Sequence, residues 1–164
     1  MAAPTATYSL ETFQQLVATV AQTLRGRALD DSLRTWLNTH YGAGSDWYAQ
    51  MHAACADGVA QGWLCRRENG GIRWGRVFEA SAALGDFSVD VVQMKDIAGP
   101  HHSHPLGEID LILPITPDAL FDGHAAGWCV YGPQSAHSPT VSNGEAWVLY
   151  LLPQGQIQFT RRAA

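Results

Sequence analysis

Charged residues are scarce in this chain, and the basic ones are the scarcer. Asp, Glu, Lys and Arg together make up 15% of the 164 residues, whereas hydrophobic residues make up 46%. This composition is typical of a globular protein and argues against a disordered one. Lys and Arg number 10 against 15 Asp and Glu, and no basic run occurs, so we expect no nucleic-acid partner.

Long apolar runs and paired cysteines are also absent from the sequence. No stretch approaches the roughly 18–20 apolar residues that span a bilayer, so we expect no membrane contact. The opening Met-Ala-Ala-Pro lacks the basic and apolar regions of a signal peptide. Cys55, Cys65 and Cys129 are odd in number and form no CxxC motif, which favours buried thiols in a cytoplasmic protein over a disulfide framework.

The first part of the chain predicts three amphipathic helices. Ser9 is the expected N-cap of the first helix, Asp30 or Asp31 starts the second, and Ser45 caps the third. Apolar residues recur at helical spacing after each start. The expected helix ends are glycines, namely Gly26, Gly42 and Gly62. We expect residues 1–62 to pack these helices on a β-barrel or on the partner of a homodimer.

From residue 63 onward the pattern changes to short strands. The expected strands are 63–67, 72–78, 87–94, 108–113, 127–131, 146–152 and 156–160. Turn signals separate several of them, at Asn69-Gly70-Gly71, Asn143-Gly144 and Pro153-Gln154-Gly155. The sequence therefore predicts one structural unit that is mainly β with an α-helical N-terminal segment, in which residues 63–164 form a small barrel or jelly roll.

The most informative motif lies in the segment 99–108, Gly-Pro-His-His-Ser-His-Pro-Leu-Gly-Glu. If Ser103 lies in a strand, His102 and His104 point to one face with Cα atoms about 6–7 Å apart. A short turn through residues 105–107 can return Glu108 to the same side. Two imidazoles and a carboxylate suit a divalent ion such as Zn, Fe, Mn, Co or Ni. An incidental cluster is the alternative, because the chain has 7 histidines.

A lone histidine, His137, lies about 30 residues downstream, after an expected strand and a Gly-Pro turn. Beside the first cluster it supplies a fourth donor. The set His102, His104, Glu108 and His137 resembles the three-His, one-Glu metal site of the cupin superfamily, whose HxHxxxE pattern the first segment matches. The second segment departs from the cupin pattern PxGxxH, since residues 133–137 lack the glycine and are one residue shorter. The resemblance implies a cupin-type, RmlC-like fold.

A small barrel of this kind can hold one ligand in its interior or at its mouth. Trp74, Trp128 and Tyr131 lie on expected strands and can form aromatic walls against a planar ring. Four arginines lie on the hairpin that carries Trp74, namely Arg66, Arg67, Arg73 and Arg76. One of them that faces inward can fork onto a substrate carboxylate, and Arg76 is the one we expect to do so. The alternatives are a hydrophobic core for the aromatic residues and a solvated strand face for the arginine.

Three stretches extend the resemblance beyond the superfamily. They are His-His-Ser-His-Pro-Leu-Gly-Glu-Ile-Asp at 101–110, Gly-Pro-Gln-Ser-Ala-His-Ser-Pro-Thr-Val at 132–141 and Ala-Trp-Val-Leu-Tyr-Leu-Leu-Pro-Gln-Gly at 146–155. With the helical front, they look like the 4-hydroxylaminobenzoate lyase family. This resemblance implies an enzyme of nitroaromatic degradation that converts 4-hydroxylaminobenzoate to 3,4-dihydroxybenzoate (protocatechuate) and ammonium. That reaction is redox-neutral, so we expect neither nicotinamide nor flavin, and the sequence has no GxGxxG fingerprint.

Glu108 is the expected catalytic residue, either as a metal ligand or as the group that transfers protons. The metal ion can assist departure of the N-hydroxyl group or activate the attacking water. Two other functions stay open from the sequence. One is a cupin non-haem dioxygenase that acts on a small aromatic acid, and the other is a non-catalytic cupin that binds a small molecule. The fold alone does not decide between them.

Overall fold

The computed structural model describes residues 7–160, and its N-terminal part forms three helices. Helix α1 spans Leu10–Leu24, α2 spans Asp31–Tyr41 and α3 spans Asp46–Gln61. None of the helices in the described range has the length and apolarity needed to cross a membrane. The opening Met-Ala-Ala-Pro, for which no signal peptide is expected, lies outside the described residues.

Each helix begins at the side-chain cap that the sequence predicts. Ser9, Asp30 and Ser45 each accept, through a side-chain oxygen, the backbone N–H of the residue three positions later. These bonds satisfy N–H groups that have no partner within the helix. The predicted end of α3 is also confirmed, because Gly62 caps it with a φ of 83°, a conformation that suits a residue without a side chain.

Ten strands follow within the described residues. They are β1 (Arg67–Asn69), β2 (Ile72–Phe78), β3 (Phe87–Ala98), β4 (His102–His104), β5 (Glu108–Pro114), β6 (Leu120–Phe121), β7 (Gly127–Tyr131), β8 (Ser135–His137), β9 (Thr140–Pro153) and β10 (Gln158–Phe159). The larger sheet runs β1-β2-β3-β9-β5-β7 with β6 paired to β9, and the smaller sheet runs β10-β4-β8. The predicted fold class is confirmed: the chain is mainly β with three N-terminal helices, and its two sheets are compatible with a cupin-type jelly roll rather than one closed barrel.

The first expected strand is wrong in its position. The sequence predicts a strand over residues 63–67, whereas β1 begins at Arg67. The carbonyl of Gly58 accepts the backbone N–H groups of Trp63 and Leu64, at 3.0 and 3.1 Å. These bonds complete the turn that ends α3, and they hold the two apolar residues in that turn.

The expected turn at Asn143-Gly144 is also wrong, because both residues lie inside β9. Their φ values are 62° and 135°, so the backbone departs locally from strand geometry. The pairing register between β3 and β9 shifts nearby, between Lys95 and Ile97. The dipeptide therefore marks an irregularity in a long strand pair and not a reversal of the chain.

The larger sheet carries a hydrophobic cluster on each face. On the outer face, helix residues such as Phe13 and Met51 pack in one cluster with strand residues such as Leu111. On the inner face, Ile112 and Phe121 belong to a second cluster. Because side chains alternate along a strand, Glu108 and Asp110 share the inner face with Ile112. The helices thus cover one face of the sheet and leave the other for the site. The division of the chain at residue 62 stays a prediction.

Candidate metal centre and cavity

Three strands bring the four predicted ligands together. His102 and His104 both lie on β4 and point to the same side, as their spacing predicts. In the pairing of β4 with β8, His137 lies directly opposite His102. Glu108 is the first residue of β5, immediately after the turn that follows β4. Neighbouring strand positions therefore place residues that are up to 35 positions apart in the chain around one point.

The turn between His104 and Glu108 depends on Gly107. Its N–H donates to the carbonyl of His104 at 3.1 Å, and its φ is 94°, in the region that favours glycine. A Cβ at this position would lie 2.6 Å from Leu29 Cδ2 and 2.7 Å from the carbonyl oxygen of Tyr131. A larger residue would therefore displace the loop that carries the ligands.

The ligand atoms of the four side chains converge. All lie within 4.8 Å of one another. Glu108 Oε2 is 3.1 Å from His104 Nε2 and 3.3 Å from His137 Nε2, while Oε1 is 3.5 Å from His102 Nε2. The Nε2 atoms of His102 and His137 are 3.2 Å apart. The spacing is short enough for all four groups to share a single ion.

The chemistry of these donors fits a divalent metal ion. His104 and Glu108 are fully buried, and His102 is nearly so. Nε2 of His104 and both oxygens of Glu108 have no hydrogen-bond partner among residues 7–160. The imidazole nitrogens of the cluster lie 3.1–3.5 Å from the Glu108 oxygens without forming hydrogen bonds to them. Buried polar atoms without partners are costly, and one shared ion would satisfy all three. Three imidazoles and a carboxylate suit Zn, Fe, Mn, Co and Ni alike.

Burial and the imidazoles act on the pKa of Glu108 in opposite directions. Burial raises this pKa, but the contacts with His102, His104 and His137 outweigh it and hold the pKa well below its usual range. Burial also lowers the pKa of His137, yet Asp122 and Glu108 raise it to about 9. Glu108 is therefore ionised at neutral pH, which is the charge state a metal ligand requires.

A second carboxylate, which the sequence analysis missed, lies behind His137. Asp122 follows β6, and its Oδ2 accepts hydrogen bonds from His137 Nδ1 and from the Tyr131 hydroxyl, each at 2.6 Å. Its Oδ1 accepts the backbone N–H of Thr140 at 2.9 Å. No local signal marks Asp122, because it lies in a turn 15 positions from His137 and meets it only in the folded chain.

A third carboxyl group, Asp110, is buried two positions after Glu108 on β5. Neither of its oxygens has a hydrogen-bond partner in the described part of the chain. Burial, followed by the nearby charge of Glu108, raises the pKa of Asp110 well above its ordinary value. Tyr150 on β9 lies opposite both Asp110 on β5 and Asp90 on β3. A row of polar side chains therefore crosses the inner face, from beside Glu108 to Arg76 on β2.

A cavity of about 500 Å³ opens beside the ligand cluster, and His102 contributes to its wall. The apolar part of the wall includes Ile72, Val92, Met94, Tyr150, Ile157 and Phe159. A cavity of this volume with mostly apolar walls is typical of a site for a small organic molecule.

Trp74 and Arg76, two of the four residues expected to bind the substrate, line this cavity. Trp74 is 38% exposed, and the guanidinium carbon of Arg67 lies 5.3 Å from the centroid of its ring. Asp90 holds Arg76 through two contacts, Nε to Oδ1 at 3.2 Å and Nη2 to Oδ2 at 3.3 Å. Arg76 Nη1 donates to Glu79 Oε2 at 3.2 Å. The guanidinium is thus fixed on one side by Asp90 and paired on the other with Glu79.

Trp128 and Tyr131, the other two, do not line the cavity. The expectation for Trp128 is corrected, because its side chain is buried on the outer face, stacked on Trp47 at 5.6 Å, with Nε1 donating to the carbonyl of Tyr41. Trp128 and Tyr131 are an odd number of positions apart on β7, so the two side chains point to opposite faces. Tyr131 faces the cluster of His102, His104, Glu108 and His137, with its ring centroid 4.6 Å from that of His137.

Comparison with known families decides the assignment. The sequence model of the family described as 4-hydroxylaminobenzoate lyase (PnbB) matches residues 15–159. The chain belongs to this family. The resemblance found in the motifs is therefore confirmed. A 4-hydroxylaminobenzoate lyase of Nocardioides sp. (strain LMS-CY) is 34% identical over 146 residues, covering 83% of this chain and 86% of that protein. One of the same name from Pseudomonas putida is 31% identical over 157 residues, covering 85% and 89%.

The similarity to solved structures is more distant. An RmlC-like cupin protein from Ralstonia eutropha is 10% identical with a TM-score of 0.44, over 57% of this chain and 62% of that one. The DMSP lyase DddQ from Ruegeria pomeroyi is 20% identical with a TM-score of 0.39, over 92% of this chain and 96% of that one. Because both TM-scores and both identities are this low, neither structure supports an inference about the function of this chain.

Proposed function

We propose that this chain is a lyase that converts 4-hydroxylaminobenzoate to 3,4-dihydroxybenzoate and ammonium. The observation that carries the proposal is the cluster of His102, His104, Glu108 and His137 at the wall of an apolar cavity that also contains an arginine. The two relatives from Nocardioides sp. and Pseudomonas putida are named for the same activity, which supports this substrate.

We propose that these three histidines and Glu108 hold one divalent metal ion, with Zn, Fe, Mn, Co and Ni as the candidates. Such an ion, when bound, supplies a Lewis acid for the hydroxylamine oxygen or lowers the pKa of a water molecule. The binding and proton-transfer steps are carried by the side chains around it. His102 is the ligand that lines the cavity, so the substrate reaches the cluster past this residue.

Arg76 is proposed to bind the carboxylate of the substrate. Two strands, β3 and β9, separate its strand from the ligand strand β5, so the backbones of β2 and β5 lie about 14 Å apart. An arginine side chain and a para-substituted benzoate together bridge a gap of this size. The carboxylate would then be held at one end of the ring, while the hydroxylamine faces His102 at the other.

The aromatic ring is proposed to lie between Trp74 and the apolar wall of the cavity. An indole stacks offset or edge-on against such a ring. The apolar wall also removes water from around the carboxylate, which strengthens its contact with Arg76 because the local dielectric falls. The chain would therefore select a flat, negatively charged aromatic molecule.

The proposed reaction needs no external oxidant or reductant. Loss of the N-hydroxyl group as water, after its protonation, breaks the N–O bond. A water molecule then bonds to the ring carbon ortho to the one that bears nitrogen, and a proton is lost from that carbon. A second water molecule hydrolyses the carbon–nitrogen bond and releases ammonia. The electrons that reduce the N–O bond come from the ring, so neither nicotinamide nor flavin is required. Glu108 is proposed as a ligand that also accepts a proton from the incoming water, because it is ionised beside three imidazoles.

An anaerobic assay in oxygen-18 water tests the proposal. The purified protein is mixed with 4-hydroxylaminobenzoate, and 3,4-dihydroxybenzoate and ammonium are measured. We expect equal amounts of both products, with the label from water in both ring hydroxyl groups of 3,4-dihydroxybenzoate. Turnover that begins only when unlabelled molecular oxygen is admitted, with ring hydroxyls that lack the label from water, would contradict the lyase and indicate a dioxygenase. Saturable binding without turnover after loading with each candidate metal would indicate a non-catalytic cupin.

We also propose a cytoplasmic location and a homodimer for this enzyme. Free and buried Cys55, Cys65 and Cys129 support a reducing compartment. The homodimer stays a prediction, which sedimentation equilibrium of the full chain tests directly. A single species at the mass of one chain across the micromolar range would contradict it.

A further inference from the structure

Asp122 lies in the turn after β6, and two hydrogen bonds attach it to Thr140, the first residue of β9. Its backbone N–H donates to the carbonyl of Thr140 at 2.8 Å, and its Oδ1 accepts the Thr140 N–H at 2.9 Å. Its φ is 49°, a left-handed conformation that Asp and Asn adopt more readily than most residues. The side chain therefore has one oxygen committed to the backbone and the other free to face the metal cluster.

The second oxygen of Asp122 determines which nitrogen of His137 carries a proton. Oδ2 lies 2.6 Å from His137 Nδ1 and 2.6 Å from the Tyr131 hydroxyl. An ionised carboxylate only accepts hydrogen bonds, and the 2.6 Å contact of Nδ1 with Asp122 is 0.7 Å shorter than the 3.3 Å contact of Nε2 with Glu108, so Nδ1 carries the proton of the neutral ring. In the neutral ring, Nε2 then keeps its lone pair, and this atom lies 3.3 Å from Glu108 Oε2 at the centre of the cluster.

We propose that Asp122 is a positioning residue that holds His137 in the tautomer able to bind the metal ion. The inference rests on the metal site proposed above and adds a residue outside its ligand set. Three donors point at Asp122, from Thr140, Tyr131 and His137. Two acceptor oxygens are needed to satisfy them, and only a carboxylate provides both.

Asp122→Asn is the variant that isolates this role. Asn keeps the size of the side chain and tolerates the left-handed backbone. If its single oxygen accepts the Thr140 N–H, its NH₂ group faces His137 Nδ1, which must then act as an acceptor. The proton moves to Nε2, the nitrogen that the metal ion needs. Partners of this kind typically change metal affinity 10- to 100-fold, so we expect a loss of about that size.

The test is a titration of the metal-free protein with Co²⁺, followed by visible absorption and by calorimetry. Asp96→Asn is the matched control, because Asp96 also has a positive φ, of 44°, and its Oδ1 accepts the backbone N–H of Gly144. This control makes the same change of charge at an exposed residue outside the cluster, and we expect its Co²⁺ affinity to stay within about twofold of the parental value. In a His137→Ala background, Asp122→Asn should weaken Co²⁺ binding no further, because Asp122 acts through His137.

Nitrogen-15 NMR of the Zn²⁺-loaded parental protein gives a second readout that needs no variant. We expect His137 to be protonated at Nδ1 and to bind Zn²⁺ through Nε2. Coordination through Nδ1, or a parental Co²⁺ affinity in Asp122→Asn, would overturn the inference while leaving the proposed lyase intact. A further loss in the His137→Ala background would show a general structural role and would overturn it as well. Absence of Co²⁺ binding by the parental chain would overturn the metal site itself, and the inference with it.

Discussion

Glu79 is expected to compete with the substrate for Arg76. Its Oε2 accepts from Arg76 Nη1 at 3.2 Å, and its side chain is 82% exposed. Asp90 binds the other side of the guanidinium with two contacts and is far less exposed. Asp90 lines the cavity and Glu79 does not. A carboxylate that binds the Nη1 edge of Arg76 would therefore displace the exposed Glu79 and leave the pair with Asp90 in place.

Replacement of Glu79 by Gln should strengthen the binding of aromatic carboxylates. The exposed ion pair with Arg76 is worth about 0.2–1 kcal/mol, and the bound ligand no longer has to break it. That free energy corresponds to a dissociation constant lower by about 1.4- to 5-fold. The removal of a negative charge beside the bound carboxylate acts in the same direction.

Calorimetric titration with 4-aminobenzoate, a stable analogue of the substrate, measures this effect. The gain should shrink at high salt, because exposed charges are screened. Glu11→Gln, on the exposed side of α1, makes the same change in net charge far along the chain and should leave the affinity unchanged. If Glu79→Gln binds 4-aminobenzoate no more tightly, or gains as much for the uncharged 4-aminobenzamide, then Arg76 is not the anchor.

Three further variants test the metal centre and the core. His104→Ala should lose Co²⁺ binding and turnover together. His40 is an exposed histidine on α2, and the control variant His40→Ala should keep both. Turnover by metal-free His104→Ala would contradict the metal proposal. Trp128→Phe should lower the free energy of unfolding in urea by about 1–3 kcal/mol and leave the affinity for 4-aminobenzoate unchanged. Weaker binding of 4-aminobenzoate with unchanged stability would show instead that Trp128 contacts the ligand. Tyr48→Phe should cost about 1–3 kcal/mol, because it leaves the buried carbonyl of Ile112 without the 2.6 Å bond from the tyrosine hydroxyl; an unchanged urea midpoint would refute this.

The features that the sequence predicts correctly depend on contacts within a few residues. The caps at Ser9, Asp30 and Ser45 are hydrogen bonds that span three positions, so each is visible locally. The same holds for His102 and His104, which share a face because a strand has a period of two. Glu108 joins them through a turn that only Gly107 permits.

The errors arise where hydrogen bonds to a neighbouring element decide the local conformation. Trp63 and Leu64 have the composition of a strand, but the carbonyl of Gly58 holds them in the turn after α3. Asn143-Gly144 has the composition of a tight turn, yet pairing with β3 carries the chain straight through it. The composition of a short segment gives a preference of at most a few kcal/mol, and the hydrogen bonds at the end of a helix or along a strand pair outweigh it.

The sequence by itself determined the three helices, the β-rich remainder, the HxHxxxE ligand loop and the family, because these depend on periodicity and on short motifs. Only the tertiary structure decided that β8 places His137 opposite His102, that Trp128 faces the helices, that Asp90 and Glu79 pair with Arg76, and that Asp122 lies behind His137. Apart from the contact between Glu79 and Arg76, which are three positions apart, each of these is a pairing between segments that are distant in the chain. Such pairings depend on strand register, in which a shift of one residue reverses the face of every side chain, and no local pattern encodes that register.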